Sequence, residues 1–290
     1  MPRGRASRVN DIDLTRWKEH DDILTDSLWL LDSRDSSGAH QADYHGNFIP
    51  QIPNQLLRRF TRAGDVVLDP FSGSGTTAIE AARLGRRHVG VEISPSVADI
   101  AAKRFYEDWL SFDVWARTPA PSAPGGPNII VGDSSTPGTA DHIAERLAAL
   151  QQSSVQFLLM HPPYHSIIKF SDVPGDLSGC VDVAEFVGRF LQVYANVAQF
   201  LDAGRHMAVV IGDIYENAEW VPLQNLLTTA LLDMGRLRLK SIIVKNMVNN
   251  RAKRNQERLW RYRALANGFY IFKHEYIVLF QKIASGGRRG

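Results

Sequence analysis

The sequence predicts a doubly wound α/β domain with a mostly parallel sheet. Val66 to Leu68 form a short apolar run of the kind that is buried on both faces of a parallel sheet. A glycine-rich turn follows this run and leads into a helix that begins at Thr76. His88 to Ile93 have the pattern of a second buried strand. Strand, helix and strand therefore alternate as they do in sheets that helices cover on both faces.

The same alternation continues to the end of the chain. We predict further strands over residues 128–133, 155–160, 206–213 and 236–244, and helices over 54–61, 94–109, 140–150, 182–200 and 221–234. Residues 269–282 are predicted to form two short strands with a turn near 273–275. No internal repeat is visible.

Composition is that of an ordinary globular protein. The chain has 290 residues, of which 44% are hydrophobic and 22% charged, enough for one large domain. No apolar run approaches the roughly 18 to 20 residues that span a membrane, and the first residues lack the apolar segment of a secretory signal. The one cysteine, Cys180, excludes an intramolecular disulfide and a cysteine-rich zinc site. We expect a cytoplasmic protein.

The turn after the first strand has the features of a nucleotide-type binding site. Gly73 and Gly75 allow a close approach of the backbone to a ligand, and the helix from Thr76 points its first N–H groups over the loop. Glu92 ends the next strand, about 20 residues past the glycines, where an acid binds ribose hydroxyls in Rossmann-like units. The alternative is a merely tight turn with a solvated Glu92.

The loop Asp69-Pro-Phe-Ser-Gly-Ser-Gly-Thr-Thr77 resembles the S-adenosylmethionine loop of the methyltransferases that modify amino groups of DNA bases. It matches the dinucleotide fingerprint poorly, because Ala78 stands at the third glycine position. The resemblance implies a class I methyltransferase fold, Rossmann-like, with an antiparallel C-terminal strand. It also implies S-adenosylmethionine as cofactor and the N6 of adenine or the N4 of cytosine as target.

The resemblance assigns cofactor contacts on both sides of this loop. The residues it implies within and after the loop are Asp69, Phe71, Ser72, Gly73, Gly75, Thr76, Thr77 and Glu92. A segment ending in prolines that precedes the first strand supplies Asn47, Phe48 and Pro50, unless it is only a rigid turn into a helix. Asp133, after the third strand, lies beside the cofactor adenine in the resembled fold, or else caps the turn at Ser134 or Ser135.

The catalytic loop implied by the resemblance is His161-Pro162-Pro163-Tyr164, directly after the fourth strand. In the family an Asp, Asn or Ser followed by Pro-Pro and an aromatic residue accepts hydrogen bonds from the exocyclic amine, while the ring stacks on a base removed from the duplex. His161 departs from this pattern. A neutral imidazole accepts one hydrogen bond and an imidazolium accepts none. With an ordinary pKa of about 6.5, activity should fall below that pH. Alternatively His161 packs and the Pro162 carbonyl carries the contact, or catalysis is lost.

Nucleic-acid binding is predicted from charge. The segment from Arg236 to Arg263 contains ten basic residues, including Lys245, and one acid, Glu257. Such an excess of basic residues is expected where a phosphate backbone binds. The alternative is a solvated helix face. The substrate-binding candidates are Lys169, Phe170, Arg251, Lys253, Arg254 and Arg258. Double-stranded DNA is the expected partner. An RNA base methyltransferase and an inactive nucleic-acid-binding protein are the alternatives.

The domain boundaries follow from these assignments. Residues 1–43 form an N-terminal extension, 44–282 one methyltransferase domain, and 283–290 a tail. Within the domain, 44–135 form the cofactor half and 155–282 the catalytic and DNA-binding half. No separate recognition domain is apparent, so a short or degenerate target site is expected. A homodimer and a cognate restriction nuclease stay open.

Overall fold

The fold is built on an eight-stranded sheet with the strand order β1-β9-β10-β6-β5-β2-β3-β4. The computed structural model describes residues 9–40, 46–111, 128–165, 168–216, 219–247 and 257–284. The strands are β1 (Leu28–Trp29), β2 (Val66–Asp69), β3 (Arg87–Glu92), β4 (Ile129–Val131), β5 (Val155–Met160), β6 (Leu201–Ile211), β7 (Ile214–Glu216), β8 (Glu219–Val221), β9 (Leu237–Asn246) and β10 (His274–Lys282). Strands β7 and β8 form a separate hairpin.

Helices connect the strands as the alternation predicts. They are α1 (Gln51–Phe60), α2 (Thr76–Arg83), α3 (Pro95–Ser111), α4 (Pro137–Ala149), α5 (Val183–Ala198), α6 (Leu223–Asp233) and α7 (Glu257–Asn267). Two helix starts follow from side-chain caps: Thr136 accepts from the Thr139 amide and Asp182 from the Glu185 amide. No helix among the described residues has the length and apolar character needed to cross a membrane.

The strand directions confirm the predicted class I methyltransferase fold. All pairings in the large sheet are parallel except those of β10, which runs antiparallel to both β6 and β9. The chain first builds β2, β3 and β4 toward one edge and then returns to place β5 and β6 on the other side of β2. The adjacent ends of β2 and β5 are therefore the topological switch point, where such sheets bind their ligands.

The core lies on both faces of this sheet. Along β5, Phe157 and Leu159 pack with the cluster that contains α1, while Leu158 and Met160 pack with the cluster that contains α5. This two-residue alternation between two buried faces explains why the strands are nearly continuous apolar runs.

Two predicted boundaries are wrong. Residues 269–282 form one strand from His274 rather than two strands with a turn at 273–275, because His274 and Glu275 already pair with Asn246 and Lys245 of β9. Strand β6 begins at Leu201 rather than at residue 206. It passes through Gly204, which has a φ of 79° that glycine adopts readily because it has no Cβ.

Candidate active site

The glycine loop lies at the switch point and is fixed by backbone hydrogen bonds. Gly73 and Gly75 have φ values of 52° and 87°, in the left-handed region that favours glycine. The Ser72 amide donates to the Val91 carbonyl at 2.9 Å, which joins the loop to β3. Gly75 immediately precedes α2, so the first amide groups of that helix border the loop.

Glu92 connects the glycine loop to the end of β3. Its Oε2 accepts from the Gly73 amide and its Oε1 from the Ser94 amide, each at 2.9 Å. Burial raises the pKa of Glu92 although these bonds favour the charged form. Each carboxylate oxygen has a second lone pair, so Glu92 can still accept from a ribose hydroxyl.

Asp69 ends β2 and is fully buried beneath the loop. Its Oδ1 accepts from the Phe71 amide at 3.0 Å. Burial raises the pKa of Asp69 to about 6, against the opposing effects of the nearby Thr77 hydroxyl and the Phe71 amide. A buried carboxylate with so little compensation is typical of a functional position.

The predicted proline segment packs against both the glycine loop and the catalytic loop. The Ser74 hydroxyl donates to the side-chain amide oxygen of Asn47, and Arg104 donates to the same hydroxyl at 2.6 Å. The Phe48 ring lies 4.7 Å from the His161 ring, centroid to centroid. Pro50 is buried at the start of α1. The segment thus joins the two loops.

His161 follows β5 directly and is held among aromatic and polar groups. Its Nε2 lies 3.2 Å from the Tyr164 hydroxyl, and its ring meets the Tyr164 ring edge-on. Burial lowers the pKa of His161 to about 4, and the nearby Glu275 and Lys245 act on it in opposite directions. The half-buried imidazole is therefore neutral near pH 7, and the ordinary pKa of about 6.5 assumed from sequence does not apply.

Tyr164 is anchored at both its ring and its hydroxyl. The ring covers Gly212, where a Cβ would lie 2.8 Å from the Tyr164 Cε2. The hydroxyl donates to Glu275 Oε2 at 2.8 Å, and Lys245 donates to Glu275 Oε1 at 2.7 Å. Pro162 is buried and Pro163 half-buried. The pKa of Tyr164 is raised well above its ordinary value, chiefly by burial, so the hydroxyl keeps its proton.

Glu275 and Lys245 are the residues whose role sequence reasoning missed. Lys245 was counted in the basic stretch, yet it is 4% exposed and faces Glu275 across the β9–β10 pairing. A signal was present, because the two-residue period that buries Ile277 and Ile243 also points Glu275 and Lys245 inward. A charged residue that falls on the buried, apolar face of a strand therefore indicates a buried ion pair.

The segment after the catalytic loop crosses the cofactor side of the site. A Cβ at Gly46 would lie 2.6 Å from Phe170, and a Cβ at Gly175 would lie 2.9 Å from the Asp133 Cγ. Asp133 Oδ1 accepts from the Ser135 amide at 2.8 Å. Asp133 thus caps the turn, as in the second of the two readings left open, while its other oxygen faces Gly175.

The basic candidates are only partly described. Arg258 lies exposed on α7, whereas Arg251, Lys253 and Arg254 lie outside the described residues. Lys169 is exposed and forms an ion pair with Asp172. Asp213, which follows β6, accepts from the Gln224 amide at 3.0 Å near the start of α6.

A family model matches the N-terminal third of the chain. Residues 4–103 match the family model described as DNA methylase. The type II methyltransferase M.Cfr9I of Citrobacter freundii is 35% identical over 82 residues, which cover 27% of this chain and 25% of that protein. M2.DpnII of Streptococcus pneumoniae is 46% identical over 63 residues, which cover 20% of this chain and 24% of that protein. M.MjaII of Methanocaldococcus jannaschii is 44% identical over 52 residues, which cover 18% of this chain and 10% of that protein. The chain thus spans a quarter or less of these relatives.

Solved structures match over more of the chain at lower identity. TrmN from Thermus thermophilus is 15% identical, with a TM-score of 0.46, over 81% of this chain and 49% of that one. An rRNA methylase from Streptococcus thermophilus is 9% identical, with a TM-score of 0.42, over 81% and 94%. The matched residues 4–103 contain the glycine loop and Glu92, and S-adenosylmethionine is the methyl donor of their family. Over residues 4–103 the chain is therefore similar to DNA methylases.

Proposed function

We propose that this chain transfers a methyl group from S-adenosylmethionine to the N6 of adenine or the N4 of cytosine in double-stranded DNA, with the target base turned out of the duplex. The observation that carries the proposal is the position of a neutral His161 at the end of β5, beside the glycine loop at the end of β2. An acceptor for an amino group thus lies next to the cofactor loop.

The residues of the cofactor half fit S-adenosylmethionine. Its ribose hydroxyls and ammonium group require acceptors, which the carboxylates of Glu92 and Asp69 supply. The glycine loop and the first amides of α2 provide backbone donors, and the Phe48 ring adds an apolar wall beside His161. When bound, this cofactor supplies an electrophilic methyl group. Ser72, Thr76 and Thr77 line the same strand–loop–helix unit, and Asn47 joins it to the proline segment.

His161 would orient the amino group. A neutral imidazole nitrogen accepts one N–H of the exocyclic amine and so directs the nitrogen lone pair toward the methyl donor. The Pro162 carbonyl is the second acceptor that the family pattern implies. The low pKa of His161 keeps this acceptor available well below neutral pH. Its nitrogen can also receive the proton that the amine releases after transfer.

Tyr164 would hold the base, and α7 would hold the DNA backbone. The Tyr164 ring lies close against Gly212, which helps to fix the ring for stacking with an extruded base. The exposed Arg258 on α7 suits a phosphate contact, and Lys169 and Phe170 are the corresponding candidates beside the catalytic loop. We further propose a cytoplasmic location and a cognate restriction nuclease as a partner.

The test is transfer of labelled methyl from S-adenosylmethionine to unmethylated duplex DNA, with total RNA in parallel and nucleoside analysis of the product. We expect N6-methyladenine or N4-methylcytosine in DNA, lost in His161→Ala and unaffected in His142→Ala, which changes an exposed histidine of α4. Label in RNA alone would make the protein an RNA methyltransferase. No label in either, with the cofactor still bound, would make it a binding protein.

A further inference from the structure

A continuous chain of polar contacts lies behind the catalytic loop. Lys245 donates to Glu275 at 2.7 Å, the Tyr164 hydroxyl donates to the other oxygen of Glu275 at 2.8 Å, and His161 Nε2 lies 3.2 Å from the Tyr164 oxygen. Lys245 is 4% exposed and Glu275 7% exposed. The charged pair is therefore inside the protein, and the Tyr164 hydroxyl joins it to the catalytic loop by a hydrogen bond.

The direction of each hydrogen bond in this chain is fixed by chemistry. An ionised carboxylate only accepts, and a tyrosine hydroxyl has one hydrogen. Lys245 keeps Glu275 ionised, so the Tyr164 hydrogen points at Glu275. The Tyr164 oxygen can then only accept from His161, which requires a proton on His161 Nε2. A neutral imidazole with its proton there has a free lone pair on Nδ1.

We propose that the buried Lys245–Glu275 pair, acting through the Tyr164 hydroxyl, holds His161 in the tautomer that carries its proton on Nε2 and presents Nδ1 as the acceptor for the amino group of the target base. Glu275 and Lys245 are positioning residues, since they act through Tyr164 and His161. The inference rests on the proposed methyl transfer for its purpose, but the tautomer itself exists without any substrate.

A histidine acceptor needs such control because its tautomers behave oppositely. With the proton on Nδ1 the ring would present a donor to an amino group, and two donors repel. Asp, Asn and Ser all offer an acceptor oxygen without this ambiguity. The Phe48 ring, 4.7 Å from the imidazole, contacts it from the proline segment, so the ring is held by packing as well as by the Tyr164 hydroxyl.

Glu275→Gln tests the proposal with almost no change in volume. In this variant Lys245 donates to the oxygen of the new amide, so the amide NH2 faces Tyr164. The Tyr164 hydroxyl then turns to donate to His161. The proton of His161 must then move to Nδ1. We expect methyl transfer to fall about a hundredfold or more, with S-adenosylmethionine affinity changed less than about threefold.

The direct readout is the ¹⁵N spectrum of histidine-labelled protein, in which protonated and bare ring nitrogens resonate far apart. His161 is assigned by comparison with His161→Asn, and the exposed His142 serves as the internal control. We expect a bare Nδ1 in the wild type and a protonated Nδ1 in Glu275→Gln. The paired variant Lys245→Met/Glu275→Met lacks both buried charges, should remain folded, and should show the same reversal because methionine offers Tyr164 no strong acceptor.

Lys245→Met supplies a second measurement, the pKa of His161, which would not change if Lys245 and Glu275 only stabilised the fold. Glu275 favours the imidazolium form of His161 and Lys245 opposes it, and Tyr164 stays neutral. While Glu275 stays ionised, removing Lys245 should raise the pKa of His161 and shift the acid limb of kcat to higher pH.

The outcomes separate this inference from the proposed function. An Nδ1 that is protonated in the wild type, or a tautomer unchanged in both Glu275→Gln and the paired variant, overturns the inference even if the protein methylates DNA. The expected tautomers in a protein that methylates no nucleic acid would support the hydrogen-bond chain and overturn the proposed function.

Discussion

The protonation of His161 yields a quantitative prediction about pH. An ordinary histidine has a pKa of about 6.5, so roughly 90% of it would be charged at about pH 5.5. Burial lowers the pKa of His161 to about 4, which leaves roughly 3% charged at that pH. Since the charged ring cannot accept a hydrogen bond, we expect kcat to stay nearly constant from about pH 7.5 to about pH 5.5 and to decline only below that range.

The assay measures kcat for methyl transfer at saturating S-adenosylmethionine and saturating duplex DNA. Saturation matters because the pKa of Asp69 lies at about 6 in the free protein, and its titration would otherwise appear as loss of cofactor affinity in the same range. Cofactor affinity is therefore measured separately across the same pH values. A decline of kcat with a midpoint near about 6.5 would refute the assignment of His161 as a buried neutral acceptor.

The same pKa shift predicts a loss of stability in acid. The unfolded chain takes up a proton at about pH 6.5 that the folded chain resists until about pH 4, so stability is lost as the pH falls between these values. The contribution of His161 to this loss is at most about 3 kcal/mol. Urea unfolding of the wild type and His161→Asn should show the difference, and identical acid sensitivity in the two proteins would contradict it.

Four further predictions concern single residues. Asp69→Asn removes a buried charge, so it should stabilise the free protein by on the order of 2 to 3 kcal/mol in thermal unfolding at neutral pH. In titration calorimetry the same variant should bind the cofactor more weakly. Gly175→Ala places a Cβ against the Asp133 carboxylate at a φ of 97°. It should weaken cofactor binding at least tenfold, whereas Gly179→Ala, which meets no atom within 4 Å, should leave it unchanged. Arg258→Ala should weaken DNA binding for all sequences and reduce the slope of log K against log salt by about one. His161→Asp should lose activity, because the shorter carboxylate lies buried beside another carboxylate and takes up a proton; a gain would show instead that the histidine had ended catalysis.

Local signals account for the parts of the site that could be predicted. The glycine loop and Glu92 belong to one strand–helix–strand unit, in which apolar runs, Gly73 and Gly75 fix the geometry over fewer than 30 residues. The position of His161 followed in the same way, because a residue directly after a buried parallel strand must lie at the carboxyl edge of the sheet.

Non-local pairing explains what could not be predicted. Lys245 and Glu275 lie 30 residues apart and meet through the register of β9 and β10. The position of β10 in turn depends on its pairing with β6. Composition alone assigned Lys245 to a phosphate-binding surface. The pKa of His161 was missed for the same reason, since the groups that surround it come from β5, β9, β10 and the proline segment.

The buried ion pair bears on whether His161 is a working residue or a lost one. Replacing a buried salt bridge by packed apolar residues is often neutral or stabilising, so stability alone is a weak reason for a buried Lys245–Glu275 pair. Among the described residues, the hydrogen bond that joins this pair to the catalytic loop comes from the Tyr164 hydroxyl, which lies next to His161. A histidine in place of an oxygen acceptor requires control of its charge and of its tautomer, and a carboxylate or hydroxyl requires neither. Burial supplies the first and the Lys245–Glu275–Tyr164 chain supplies the second, which is the arrangement expected of a functioning histidine.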